Sequence, residues 1–511
     1  MGNIDIFDKI FIIDDKYEEV LPIIKVLGSR GISSIYWNGD LETKPKEPLK
    51  GIRLVILDMR FSYVTDSRTI TTTLYTLLKY AISNDNGPYI LCIWSKHDSE
   101  YLKDFKEGLE EASDVPQPYL ILNIEKSKFV KTINEKNVVY DEIATSLAFE
   151  DKPELKEEIL SILKTTGIHE SVETIDLDED IIEQLSTNLD EKLKEINSLS
   201  ILLLWEHLAN KSINNLVKEI ANFSELDGTW DNNIKTLIQR LATANAGKSL
   251  GATTTEYILN SLSALNYMLP DELLNQLMKY SIDEDRFKFI SNPAIIKNVD
   301  DEIFSISKPK KTFIVKKGNS DYKVFKNTAD ILNFEEKDRQ VCRELYDKYL
   351  KLLGNSNFKL LCERKESVNI NKPGNLYKVE DGKFLEQISQ SIFKEKSKVD
   401  LRNASLVKLD ISSSCDYAQN KLKRVRVLFG IKIKDTYFAD IADTEDIYCT
   451  PELNIGDGET FKIVFNFHYI TNESYNNLIE TDKLFSFREL LLTEIKHTLS
   501  SYISRVGIIN L

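Results

Sequence analysis

The sequence predicts an α/β first domain, a doubly wound five-stranded parallel sheet, followed by an all-α domain and a C-terminal α+β or small β-barrel domain. Three observations carry this reading. Residues 1–150 alternate short, almost wholly apolar runs with amphipathic stretches, the pattern of strands buried on both faces with helices between them. Residues 151–300 repeat their apolar positions at helical spacing. Residues 301–394 mix both patterns as an α+β connector, and from 395 to 511 strands alternate with turns.

The five strands are expected at Lys9–Ile13, Ile32–Trp37, Leu54–Leu57, Tyr89–Trp94 and Tyr119–Ile124. Leu21, Ile24 and Leu27 mark the first helix, which Gly28 or Gly31 can end. Pro22 fits that helix only near its first turn. Thr73–Ile82 and Tyr101–Ala112 supply further helices, and Ser113–Pro118 reads as an inserted loop. The acidic stretch Glu170–Asp180 reads as a linker into a helical bundle. There Ile213, Leu216, Val217, Ile220 and Phe223 follow one helical stripe, Ile234, Leu237, Ile238 and Leu241 a second, and Ile258, Leu262, Leu265 and Leu269 a third. Thr312–Lys316 and Tyr322–Phe325 read as a hairpin, and Asp338–Leu353 as a helix ended by Gly354. Strands follow at Ala404–Ile411, Val425–Ile433, Tyr437–Ile441 and Phe461–Tyr469, with a closing helix at Phe487–Tyr502.

The composition narrows the function. The 511 residues carry 66 Lys and Arg against 81 Asp and Glu, a net charge of −15, which disfavours non-specific nucleic-acid binding. A hydrophobic share of 42% can fill several cores and excludes wholesale disorder. No apolar run, neither Ile201 to Trp205 nor Tyr89 to Trp94, approaches the ~20 residues of a membrane span. The start, MGNIDIFDKIF, has acids where a signal peptide needs positive charge, and Ile6 where a myristoylation motif needs Ser or Thr. Cys92, Cys342, Cys362, Cys415 and Cys449 are sparse and odd in number, as expected of reduced thiols in a cytoplasmic protein. No CxxC or HExxH occurs, so a Cys/His zinc site is not expected.

The chemistry gathers at strand ends. Asp14 and Asp15 follow the first expected strand, Asp58 the third, Ser95 the fourth, and Lys126 lies just past the fifth. In a parallel sheet these positions share the carboxyl edge, where ligands bind. Converging carboxylates repel one another, and a hard divalent cation such as Mg²⁺, which prefers oxygen ligands, relieves that repulsion. With one Lys and one hydroxyl added, such a site can hold a phosphoryl group while a carboxylate attacks in line.

The pattern IIDD, LVILDMR, CIWS and a late Lys resembles the receiver domain of two-component response regulators, a flavodoxin-like fold. That resemblance implies Asp58 as the phosphoacceptor, Asp15 as a metal ligand, and Asp14 as an acid acting partly through water. It implies Ser95 as the hydroxyl that turns toward the phosphoryl group, Lys126 as the phosphoryl-binding Lys, and the carbonyl of Arg60 as part of the metal shell. Lys96, directly after Ser95, is the rival for the Lys role. The implied cofactor is Mg²⁺ and the implied partner a sensor histidine kinase, with a separate effector beyond it. A membrane or nucleic-acid partner is not expected.

Three other features bear on function. Ala246-Gly247-Lys248-Ser249 resembles part of a P-loop but follows a helix, so Gly247 is expected to cap that helix. The basic runs Lys308–Lys311 and Lys421–Arg426 read as solvated faces. DISSSCDYAQNK, at Asp410–Lys421, reads as a buried structural Cys beside a turn-capping Asp. Together with YCTPEL, FKIVFNFHY and SRVGI it resembles the C-terminal region of receiver-containing proteins of bacterial anti-phage systems. Within those it is most like the phosphate-buffering component of Detocs-type defence. That implies a signalling or buffering scaffold whose only chemistry is aspartyl phosphorylation and dephosphorylation. The alternative is a receiver-gated effector enzyme around Cys415 and Asp416, which would need His468 or His497 brought close by the fold.

Overall fold

The N-terminal sheet has strands β1 (Lys9–Ile13), β2 (Ser33–Trp37), β3 (Leu54–Leu57), β4 (Ile90–Ser95) and β5 (Leu120–Glu125) in the order β2-β1-β3-β4-β5. All pairings are parallel. β1 and β3 stand where the sequence placed them, and the others differ by a residue at one or both ends. The protein is described here from a computed structural model. Its described residues are 3–59, 61, 67–96, 99–112, 114–136, 157–159, 161–162, 171–175, 178–195, 197–247, 250, 253–281, 293–300, 302–309, 312–318, 320–325, 331, 334–364, 372–395, 397, 399–418, 422–456 and 458–504. The chain divides into two compact units, residues 1–223 with 268–288, and residues 224–267 with 289–511.

In the first unit, strand alternation sends side chains to both faces of the sheet. Phe11, Ile13, Val55, Leu57, Leu91 and Ile93 meet helices α2 (Ser67–Ala81) and α3 (Ser99–Glu111) through Leu74, Leu78 and Phe105. Ile10, Ile12, Ile56, Cys92 and Trp94 face helix α1 (Tyr17–Ser29). The same face is covered by helices α4 (Glu179–Lys192) and α5 (Asn197–Ala221), through Leu185, Leu189 and Leu203. Arg30 at the end of α1 ties the layer together, pairing with Asp190 at 2.8 Å and Asp5 at 3.0 Å.

Gly31, with φ of 71°, is the residue that turns the chain out of α1. Pro22 lies past the first turn of α1, where its ring removes the N–H that would serve the carbonyl of Glu18. The stretch read as a linker is in part a strand. Ser171–Ile175 pairs antiparallel with Thr132–Lys136, because a β-branched alternation survives among its acids. The middle region is helical as expected, with Trp230–Ala246 and Thr254–Lys279 following α5. The stripes do not close into a core among the described residues, since Ile213, Val217, Phe223, Ile258 and Leu262 are exposed. Gly247 caps the first of these helices, its N–H bonded to the carbonyl of Thr243.

The second unit holds two antiparallel sheets. One, of four strands from Ile295 to Phe325, contains the expected hairpin as Phe313–Lys317 paired with Ser320–Phe325. It packs on a helix, Glu336–Leu361, through Phe304, Val315, Leu345 and Tyr346. Gly354 does not end this helix but lies inside it, where an added Cβ would stand 3.1 Å from the Asn454 nitrogen. The other sheet is a seven-stranded half-barrel that includes Cys362–Arg364 and Asn375–Lys378 as well as Ala404–Asp410, Arg424–Lys434 and Phe461–Ser474. Its closing helix, Glu489–Ile503, packs Leu491, Leu492 and Ile495 against Phe465 and Phe487. Tyr437–Ile441 is not a strand; Asp435–Asp440 forms a 3-10 helix, whose aromatics join the core beside Leu406 and Ile433.

Candidate functional site

The site lies at the carboxyl edge of the parallel sheet, where the strand order reverses between β1 and β3. Register brings its members together. Ile13 pairs with Leu57, so Asp14 and Asp58, the next residue of each strand, emerge side by side. The Asp58 N–H donates to the carbonyl of Ile13 at 2.9 Å, and the Asp14 N–H to that of Trp37 at 3.2 Å, carrying the ladder one step past the strands. Ser95 pairs with Glu125 at the ends of β4 and β5. Lys126 follows at once in a 3-10 turn, Lys126–Lys128. That turn is pinned by the Phe129 and Val130 N–H groups, which donate to the Lys126 carbonyl, and by Phe129 stacking on Trp94.

Asp14, Asp58, Ser95 and Lys126 are all buried, and Asp15 is half-buried. One ligand oxygen from each of Asp14, Asp15 and Asp58 lies within 4.8 Å of the other two. Lys126 is 1% exposed and its ammonium stands 2.7 Å from Asp14 Oδ2, 2.8 Å from Asp58 Oδ2 and 2.7 Å from Glu19 Oε2. An ammonium has three N–H groups, so each carboxylate receives one.

The electrostatics follow from this packing. Burial, with the neighbouring Asp58 charge, raises Asp14 to about 7 against the pull of Lys126. Burial would lower Lys126, but the Asp58 and Asp14 carboxylates override it and hold its pKa above the ordinary lysine value. Burial would likewise raise Glu19, yet its bonds to Lys126 and Lys96 hold it down at about 2. Tyr36 donates its hydroxyl to the Asp14 carbonyl at 2.8 Å, and burial together with the Asp14 and Asp15 charges raises its pKa to about 12.

Asp14, Asp15, Asp58, Ser95 and Lys126 thus share one edge, as read from the sequence. The Arg60 carbonyl lies outside the described residues. Lys96 pairs with Glu19, its ammonium donating to Oε1 at 2.9 Å, and so does not simply project to solvent. The long connection before β5 packs down, with the Tyr89 hydroxyl donating to the Pro116 carbonyl at 2.7 Å. Glu19 and Tyr36 were not found by sequence reasoning. An acid in the first turn of a helix ordinarily favours the helix dipole, so Glu19 carried no distinguishing signal.

Three hard carboxylate oxygens within 4.8 Å of one another suit a hard divalent cation by their chemistry. The cluster could hold a metal ion. No other group of three or more such ligands is found among the described residues.

The second unit offers less. Cys415 is exposed on a short helix, Ser414–Ala418, which corrects the expectation of a buried thiol. The turn is capped by Asp410, which accepts from the Ser412 N–H at 2.9 Å and from the Tyr417 hydroxyl. His468 stands 3.0 Å from the Tyr502 hydroxyl and 3.7 Å from Asp446. Among the described residues no hydrogen bond or ion pair joins Cys415 or Asp416 to His468 or His497. Of the basic runs, Lys308 faces Glu452 at 3.5 Å; residues 310, 311 and 421 lie outside the described set, as do Lys248 and Ser249. No helix among the described residues is long and apolar enough to cross a membrane. The chain matches no known protein family, no curated protein and no solved structure.

Proposed function

We propose that this protein is a receiver-type phosphoacceptor with a flavodoxin-like first domain. It takes a phosphoryl group from a histidine kinase onto Asp58 and acts as a signalling or buffering scaffold in a bacterial anti-phage system. The observation that carries the reading is Asp58 at the β1/β3 switch point, beside Asp14 and bonded at 2.8 Å to a buried Lys126. A lysine is rarely buried unless it is paired, and this one is held at the edge where an anionic group on Asp58 would lie. The placing in defence rests on the resemblance of the C-terminal blocks alone.

In this reading Asp14, Asp15 and Asp58 hold Mg²⁺, which when bound supplies neutralising charge to the phosphoryl oxygens. Asp58 provides the nucleophile. A carboxylate oxygen of Asp58 forms the new O–P bond as the N–P bond of the donor phosphohistidine breaks, and the imidazole leaves with the electron pair. Lys126 neutralises charge on the transferred group. Ser95, buried as the last residue of β4, supplies a hydroxyl to it.

The test is phosphotransfer from a cognate histidine kinase. The expected product is an acid-stable, base-labile acyl phosphate on wild type and none on Asp58→Asn, since an amide is no nucleophile. Equal labelling of both proteins would refute the assignment.

A further inference from the structure

Lys126 and the proposed cation draw on the same carboxylates. Asp14 Oδ2 and Asp58 Oδ2 each receive an N–H from Lys126, and both residues belong to the three-carboxylate cluster. A carboxylate that turns its charge to a divalent cation holds a neighbouring ammonium less well, and the two cations repel one another. An ammonium 1% exposed cannot simply be released, because a buried charge without a partner is costly. It needs a carboxylate outside the cluster.

Glu19 is that carboxylate. It comes from the first turn of α1, lies outside the group of three, and reaches Lys126 at 2.7 Å. Its other oxygen is fixed from the rim by Lys96 at 2.9 Å, with Lys16 at 3.5 Å from the same atom. Its side chain is 12% exposed, against 41% for Lys96 and 55% for Lys16, so the bridge runs from the buried edge outward. The strong hold of both lysines keeps Glu19 ionised across the neutral range.

We propose that Glu19 is a positioning residue that receives the Lys126 ammonium when a divalent cation takes Asp14 and Asp58, with Lys96 anchoring Glu19 from the rim. This rests on the metal reading above. It accounts for a third carboxylate on one lysine, which the receiver-like constellation itself does not require. It also keeps Lys126 beside the cluster, next to the position of an anion on Asp58, rather than letting it swing out.

The role makes Glu19 act on cation binding through Lys126. Without Glu19 the ammonium falls back on Asp14 and Asp58 and competes with the cation. Mg²⁺ binding to the full-length protein is measured by calorimetry in four forms: wild type, Glu19→Gln, Lys126→Met and the double variant. Glu19→Gln is expected to weaken Mg²⁺ binding about five- to tenfold when Lys126 is present, and less than about twofold in the Lys126→Met background, a coupling within the usual range for contacting residues. Equal losses in both backgrounds would show Glu19 acting only by its field and would overturn the proposal, as would no loss at all. Wild type that binds no Mg²⁺ would remove the metal reading and this one with it, a distinct result. If Glu19→Gln fails to fold, Lys96→Met carries the test. Freed from its anchor, Glu19 should hold Lys126 less well and Mg²⁺ should bind about twofold more weakly, opposite to the tightening that loss of a nearby positive charge alone would give, so unchanged or tighter binding would overturn the proposal.

Discussion

Replacing Lys126 by Met removes one charge and keeps most of the side-chain volume. What it leaves behind is Asp14, Asp58 and Glu19 converging on a site where the lysine side chain was 1% exposed. Deleting one partner of a buried ion pair costs ~3–5 kcal/mol, a large share of the ~5–15 kcal/mol that holds a typical domain together. The cost has an outlet. Asp14, already raised to about 7 by burial and the Asp58 charge, can take up a proton. The loss should therefore be smaller at pH 6 than at pH 8. On the proposed function, bound Mg²⁺ would supply the missing positive charge, and a ligand at 100 times its Kd stabilises by ~2.7 kcal/mol, so the cation should recover much of the deficit. The two units need not unfold together, so the readout is amide hydrogen exchange of β1 and β3, with EDTA and with Mg²⁺, at both pH values. A loss below ~1 kcal/mol in EDTA at pH 8 would refute the argument that Lys126 neutralises a buried acidic cluster, since that is the scale of an exposed pair.

Acid stability follows from Glu19, whose pKa falls from 4.5 to about 2 on folding. The unfolded chain binds the proton more readily, so the contribution is full above pH 4.5 and is lost as pH falls toward 2, ~3 kcal/mol in all. Glu19→Gln should flatten that limb of an acid-unfolding curve of the first unit, and an unchanged limb would contradict the ion-pair assignment. In the second unit, Gly354→Ala would set a Cβ 2.9 Å from Asn454 Cβ and 3.1 Å from backbone atoms of Leu453 and Asn454. The Asn454 N–H donates to the Gly354 carbonyl at 3.0 Å, so the two segments cannot part freely. A loss of ~1–3 kcal/mol is expected, read as a lower calorimetric transition for that unit, and an unaltered transition would show that the contact yields.

The first sheet was legible because its strands are buried on both faces and therefore nearly uninterrupted apolar runs, as in LVIL and YILCIW. Once the strands were placed, their ends placed Asp14, Asp15, Asp58, Ser95 and Lys126, for in a parallel sheet every strand end of one polarity lies on one edge. The sequence also carried the 3.6-residue period of the middle helices, and it missed the strand Ser171–Ile175, where acids hid a short β alternation. Three matters were decided only in three dimensions. Gly354 is indistinguishable by sequence from a helix stop, and only the approach of Asn454 shows that a side chain is excluded there. The exposure of the stripe from Ile213 to Phe223 depends on which elements pack beside it, which periodicity does not encode. Glu19 and Lys96, remote in sequence, are joined by a 2.9 Å contact across the edge of the sheet. Local pattern determines which element a segment forms and which end of it carries charge. Which charges then share a partner is set by packing between elements, and that is a property of the folded chain alone.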